Sequence, residues 1–198
     1  MHINIGFLAS HNGSNMQAVI SACKGGVIDA SPAVVISNNC KSRALLIAKQ
    51  EGIPCYNLST KTHPVPEELD SAILNVFISN HVDLVVLAGY DRKLGNQTLT
   101  YYNGRVINIH PALLPKYGGT GMYGILVHHA VLAAGEKETG VTIHLVDKDY
   151  DHGAIIAQSR IPVLPGDTAE SLAVRVLERV HRFLVETIGK IITGKLIY

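Results

Sequence analysis

The run Leu84-Val85-Val86-Leu87-Ala88 is apolar at every position and is closed by Gly89. A strand with one wet face alternates apolar and polar side chains, so a strand apolar on both faces needs helices covering both. The preceding chain supplies them. β-rich runs at 2–8, 32–38, 53–57 and 83–88 alternate with helical stretches at 14–24, 42–50 and 66–80. That alternation predicts a parallel sheet with crossover helices.

A further strand is expected at 105–109, ahead of a loop from His110 to Gly124 broken by Pro111, Pro115, Gly118, Gly119, Gly121 and Gly124. Loops of this length in a compact domain are usually functional. A short helix near 125–134 precedes β-rich runs at 139–147 and 154–162, which flank the polar turn Asp147 to Gly153 and read as a hairpin or two neighbouring strands. From Thr168 onward, Leu172, Val176, Val180, Leu184 and Ile188 recur every fourth residue beside Phe183 and Ile191, an apolar helical stripe. Asp167 with Glu170 three residues later reads as a capping-box start. The fold class is therefore α/β and Rossmann-like: a mostly parallel central sheet flanked by helices, with a C-terminal hairpin and a long final helix. One domain over 1–198 is expected, because no repeat, low-complexity tract or linker divides it.

Composition narrows the function classes. The 198 residues are enough to bury a substantial core. With 47% apolar residues, 17% charged residues and a net charge of +1, neither disorder nor a basic nucleic-acid surface is expected. Cys23, Cys40 and Cys55 are odd in number and lack a C-x-x-C pair, which argues against a disulfide framework or zinc ribbon and for a reducing cytoplasm. The opening MHINIGFLAS has no Lys or Arg ahead of its apolar stretch and reads as a strand, not a signal peptide. No apolar run approaches the roughly 20 residues that span a bilayer.

Three groups of residues carry chemistry. Ser10-His11-Asn12-Gly13-Ser14-Asn15 follows the first strand and opens the first helix. Gly13 allows close backbone approach, and Ser14 and Asn15 bring donors to a helix N-terminus, where phosphate is favoured. An ordinary N-cap at Asn12 or Ser14 fits the same residues. In Asn108-Ile109-His110-Pro111, strand alternation puts Asn108 and His110 on one face, about 6 to 7 Å apart. An amide donor beside an imidazole suits acyl transfer, with Asn108 at a developing oxyanion and His110 exchanging protons; a strand-capping polar pair is the alternative. Asp151, brought against His110, would raise the imidazole pKa and orient the ring, although an Asp near a Gly is also ordinary turn chemistry, as read for Asp147 and Asp149. His128, His129 and His152 have no metal-ligand spacing and are expected on a helical surface or in a loop. Lys41 and Arg43 read as solvated charge, and Tyr101-Tyr102 as packing.

Together, Ile107-Asn108-Ile109-His110-Pro111-Ala112-Leu113-Leu114-Pro115-Lys116-Tyr117-Gly118 and the segment Gly140 to Gly153, GVTIHLVDKDYDHG, resemble the phosphoribosylglycinamide formyltransferases of purine synthesis, also called glycinamide ribonucleotide transformylases. Asn12 to Asn15 and Leu87 to Leu94 match as well, so the resemblance covers essentially the whole chain. It implies formyl transfer from 10-formyltetrahydrofolate, as co-substrate, to the amine of phosphoribosylglycinamide, without metal, nicotinamide, nucleic acid or membrane. Asn108, His110 and Asp151 would be catalytic, and Gly13, Ser14 and Asn15 would contact the substrate phosphate. Asp91, Arg92, Lys93 and Leu94, with Asn108 and the 147–151 loop, would form the folate pocket. The resemblance thus divides the domain into a phosphate-binding half, 1–100, and a catalytic and folate-binding half, 101–198. The chain departs from the family at Pro66, where many members place an arginine, at Val180, where a glutamate often precedes the histidine matching His181, and in the loop Gly119 to Gly124. A related enzyme acting on an amino sugar, or a non-catalytic nucleotide-binding module, are the competing readings.

Overall fold

A computed structural model of the chain describes residues 2–195. Seven strands, β1 (Ile3–Leu8), β2 (Ala30–Ser37), β3 (Cys55–Asn57), β4 (Leu84–Leu87), β5 (Val106–His110), β6 (Glu138–Leu145) and β7 (Ile155–Pro162), form one sheet in the order β3-β2-β1-β4-β5-β6-β7. The first five are parallel, and β6 and β7 join antiparallel as the expected hairpin. The helices are α1 (Ser14–Lys24), α2 (Arg43–Gln50), α3 (Pro66–Ser79), α4 (Asn96–Tyr101), α5 (Ile125–Ala133) and α6 (Ala169–Ile192). None of the described helices is long and apolar enough to cross a membrane.

The apolar run at β4 behaves as its composition requires. Leu84 and Val86 enter one core cluster, with Met16 and Ile20 of α1 and Leu172 and Leu184 of α6. Val85 and Leu87 enter a second, with Ile73 and Phe77 of α3. Alternate side chains of one strand thus feed two cores on opposite faces. The α6 stripe from Leu172 to Ile188 is buried as spaced, with Ile191 partly buried beside it.

Several local expectations are corrected. The α6 cap is Thr168, whose hydroxyl accepts from Ser171 N–H while Ser171 Oγ accepts from Thr168 N–H. Asp167 instead holds Arg175 through both carboxylate oxygens, at 2.7 and 2.6 Å. Neither Asn12 nor Ser14 caps α1: Gly13 does, at φ 70, and a Cβ there would sit 2.9 Å from the Ala44 backbone. The α4 helix had no counterpart in the sequence reading. Its N-terminus is capped from α3, Asp70 accepting from Gln97 N–H at 2.7 Å and Thr98 N–H at 3.1 Å. His110 closes β5 and does not open the loop.

Gly140 is a point of close approach in the β6–β7 hairpin. A Cβ at Gly140 would lie 2.2 Å from the Ser159 carbonyl oxygen and 2.5 Å from the Leu113 side chain. Gly140→Ala is therefore expected to cost about 1 to 3 kcal/mol, read as a lowered denaturant midpoint. An unchanged midpoint would contradict the close approach.

Candidate active site

The register of β5 on β6 builds the site. Asn108 lies opposite His144 and His110 opposite Thr142, so the side chains of facing positions share one sheet face. Asp151 reaches them from the turn after β6, in left-handed backbone at φ 55, a region Asp tolerates better than most residues. Its two carboxylate oxygens divide the work. Oδ2 lies 3.4 Å from His110 Nδ1 and accepts from Gly119 N–H at 3.0 Å. Oδ1 accepts from Asn108 Nδ2 at 3.3 Å and lies 3.4 Å from His144 Nε2. The turn approaches the loop closely at Gly118, where a Cβ would sit 3.2 Å from Asp151 Cβ.

Each imidazole has one fixed contact. His110 Nε2 faces the Tyr117 carbonyl at 2.7 Å, which can only accept, so Nε2 carries a proton. His144 Nδ1 faces the Leu145 carbonyl at 2.7 Å, which leaves Nε2 of the neutral ring to accept from Asn108 Nδ2 at 3.1 Å. Thr142 anchors the following loop, its hydroxyl donating to the Ala112 carbonyl at 2.7 Å and accepting from Leu114 N–H at 3.0 Å.

His110 is 4% exposed, and burial dominates its electrostatics. It pushes the His110 imidazole below its ordinary value; Asp151 and the Tyr117 carbonyl oppose that shift without reversing it, and His144 adds to it. Asp151 raises the His110 pKa as expected, but desolvation outweighs the carboxylate and the net shift is downward. Burial would also raise the Asp151 carboxyl. The His110 charge and the Gly119 N–H hold it low. With His110 neutral, Gly119 and the Asn108 amide are the contacts that keep Asp151 ionised near neutral pH.

The turn 10–15 and the segment 91–94 lie elsewhere on the same sheet end. The strand order reverses between β1 and β4, and open α/β sheets bind ligands in the crevice outside such a switch point. A cavity of about 660 Å³ lies there, lined by Ser10 and His11 after β1 and by Asp91, Arg92, Lys93 and Leu94 after β4. Asp91 is tied down by Ser10 Oγ at 2.9 Å and Asn38 Nδ2 at 2.8 Å. Lys93 also faces the 147–151 turn, 3.5 Å from Asp149 and 4.9 Å from the centre of the Tyr150 ring. In the turn itself the first N–H groups of α1 have no intrahelical acceptors, and Asn15 Oδ1 is buried without a hydrogen-bond partner.

The structure brings Asn108, His110 and Asp151 together and adds His144, Tyr117 and Gly119 to them. His144 takes its place opposite Asn108 from the β5–β6 register, which no local signal in the sequence states. Tyr117 and Gly119 act through backbone atoms, which side-chain chemistry does not advertise. His128 is 4% exposed on α5, not on a helical surface as expected. Val180 is buried in the core against which α6 packs. Pro66 lines the cavity, and Lys61 brings a cation to the same wall. Asp147 accepts from Asp149 N–H at 2.8 Å, the turn chemistry assigned to it.

An amide, an imidazole and a buried carboxylate at one strand end suit acyl transfer. The family model described as formyl transferase matches residues 3–188. The chain belongs to the formyl transferase family. The phosphoribosylglycinamide formyltransferase of Escherichia coli K12 is 35% identical over 194 residues, 98% of this chain and 89% of that protein. The chloroplastic enzyme of that name from Arabidopsis thaliana is 38% identical over 183 residues, and the match spans 92% of this chain but only 63% of the relative's length. The crystal structure of glycinamide ribonucleotide transformylase 1 from Symbiobacterium toebii superimposes with a TM-score of 0.92 at 36% identity, covering 100% of this chain and 91% of that one.

Proposed function

We propose that this protein transfers the formyl group of 10-formyltetrahydrofolate to the amine of phosphoribosylglycinamide, a step of purine synthesis. The observation that carries the reading is the single carboxylate of Asp151 lying against both Asn108 and His110 at the end of β5, within a chain similar over nearly its whole length to enzymes of that name. Gly13, Ser14 and Asn15 take the phosphate on the N–H groups of α1. With β4 alone between β1 and β5, that turn lies about 10 Å from the Asn108 strand by sheet spacing, a gap for the phosphoribosyl group and its glycinamide arm. Asp91, Arg92, Lys93 and Leu94, with Asn108 and the 147–151 turn, take the folate. The cation that many members place at Pro66 is offered here by Lys61. The half 1–100 supplies the phosphate turn, and 101–198 supplies catalysis and the far wall of the folate cleft. The free thiols of Cys23, Cys40 and Cys55 suit a reducing cytoplasm.

In the reaction, the neutral substrate amine attacks the formyl carbon, and the carbonyl electron pair moves to oxygen. One Asn108 amide hydrogen turns from its resting contact to that oxyanion. The amine, now cationic, gives its proton to His110 Nδ1, where the adjacent Asp151 carboxylate stabilises the imidazolium. The proton then passes to folate N10 as the C–N10 bond breaks, releasing tetrahydrofolate and the formylated amine. Neutral His110 is the form that can begin this sequence, and burial maintains it.

Tetrahydrofolate release from 10-formyltetrahydrofolate is the test, with phosphoribosylglycinamide, a sugar-nucleotide amine and water as acceptors. Turnover with the first alone is expected. Turnover only with the sugar amine, or only with water, would overturn the acceptor and keep the fold and the chemistry.

A further inference from the structure

Tyr117 is an aromatic residue in left-handed backbone, at φ 58. That conformation is costly for a residue with a Cβ and persists where surrounding contacts over-determine it. Two contacts do so here. Its carbonyl accepts from His110 Nε2 at 2.7 Å, and its phenol donates to Glu136 Oε1 at 2.8 Å. Glu136 sits in the turn between α5 and β6, outside every segment assigned above to substrate or chemistry. Lys116 Nζ donates to the same oxygen at 2.8 Å. These two bonds hold the Glu136 carboxyl below its usual range, so it remains an ionised acceptor.

We infer that Glu136 and Tyr117 form a strut that fixes the Nε2–H tautomer of His110 and so leaves Nδ1, beside Asp151, as the nitrogen that exchanges protons. A neutral imidazole has one N–H and two places to put it. Asp151 Oδ2, 3.4 Å from Nδ1, competes for that hydrogen with the Tyr117 carbonyl. If Asp151 wins, Nδ1 is already protonated and cannot take the proton of the attacking amine. The strut decides the competition by holding the carbonyl at hydrogen-bond distance from Nε2. Among the described residues the Tyr117 carbonyl is the acceptor recorded at hydrogen-bond distance from Nε2, and the neighbouring His144 is engaged with Leu145 and Asn108. Glu136 and Tyr117 are positioning residues, since neither side chain needs to touch the substrate. The role given to Nδ1 rests on the formyl-transfer reading; the tautomer rests on the geometry alone.

The ring nitrogens of His110 in the full chain, labelled with ¹⁵N-histidine and observed by NMR, read the tautomer directly, and steady-state kinetics read its consequence. The wild-type protein is expected to show Nε2–H. Glu136→Ala and the isosteric Tyr117→Phe are expected to mix in Nδ1–H and to lower kcat on the order of tenfold or more, with KM little changed, as misplacement of a reacting group does. Glu136→Gln, which keeps an oxygen for the Tyr117 hydroxyl, should restore both readouts. Lys116→Ala, which removes only the ion pair, should leave both near wild type. A wild-type tautomer in both Glu136→Ala and Tyr117→Phe would overturn the strut, as would a kcat loss without any change in the ring nitrogens. Absence of turnover in the wild type would sink the formyl-transfer reading instead, and the NMR comparison would still decide the strut.

Discussion

Asn108→Ala is expected to lower kcat by about 10²- to 10³-fold, the loss that follows removal of one oxyanion donor, and His110→Ala by about 10²- to 10⁴-fold, the range for a positioned proton-transfer group. Neither change should unfold the protein. Asn108 is half-buried and bonds only to His144 and Asp151 through its side chain, so its truncation leaves those two facing each other at 3.4 Å. Loss of His110 leaves the Tyr117 carbonyl without its partner, a cost of about 1 to 3 kcal/mol, which is compatible with a folded chain. KM for both substrates should change little, because an interaction made only in the transition state lowers kcat and kcat/KM together. The two losses should not multiply in the double variant. Both side chains converge on one carboxylate, and groups that act as a unit are strongly non-additive. Purified single variants with native unfolding midpoints and more than about a tenth of wild-type kcat would remove Asn108 and His110 from the chemistry, since even the smaller expectation is two orders of magnitude.

The parts of this molecule that were legible in the sequence are those governed by local periodicity. The doubly apolar run at β4 announced a sheet covered on both faces, and the fourfold stripe from Leu172 to Ile188 announced α6, because each pattern is written in consecutive residues. The α4 helix was not announced. Its six residues carry no acidic cap of their own; the cap is Asp70, 27 positions before Gln97 in sequence. A carboxylate supplied by another helix leaves no trace in the window that a propensity reading uses. The same distinction runs through the site. Asn108 and His110 could be paired because strand alternation fixes their relation. Asp151 could be placed against them only through a long motif, since the turn that delivers it lies beyond an antiparallel strand whose register no local signal states. His144 became a partner of Asn108 only when that register was known. The net direction of the His110 shift was not legible for a related reason: the carboxylate that raises it is visible in sequence, while the burial that outweighs it is a property of the packed loop and hairpin.

Asp151→Asn separates a carboxylate that stabilises charge from one that merely braces a turn. Asparagine keeps the size of the side chain, tolerates the left-handed backbone at this position, and can still accept from Gly119 N–H through its amide oxygen, so the turn should persist. What is lost is the negative charge beside His110 Nδ1. Two consequences follow with fixed signs. First, the imidazolium formed when the amine gives up its proton loses its counter-charge, and kcat should fall by about 10²- to 10⁴-fold. Second, the one charged group that raises the His110 pKa against burial is removed, so that pKa moves further below its ordinary value. Since neutral His110 begins the reaction, activity declines on the acid side as this ring protonates, and the acid limb of the kcat/KM profile, which reports groups of the free enzyme, should move to lower pH. The phosphate of the substrate also titrates in this region, so the comparison is made at the same substrate ionisation for both proteins, with the wild-type curve as reference. An acid limb that stays in place, or moves to higher pH, would mean that Asp151 does not act on His110 electrostatically. A smaller kcat with an unmoved limb would assign Asp151 to the geometry of the turn, and the proton would then have to travel by a route that avoids Nδ1.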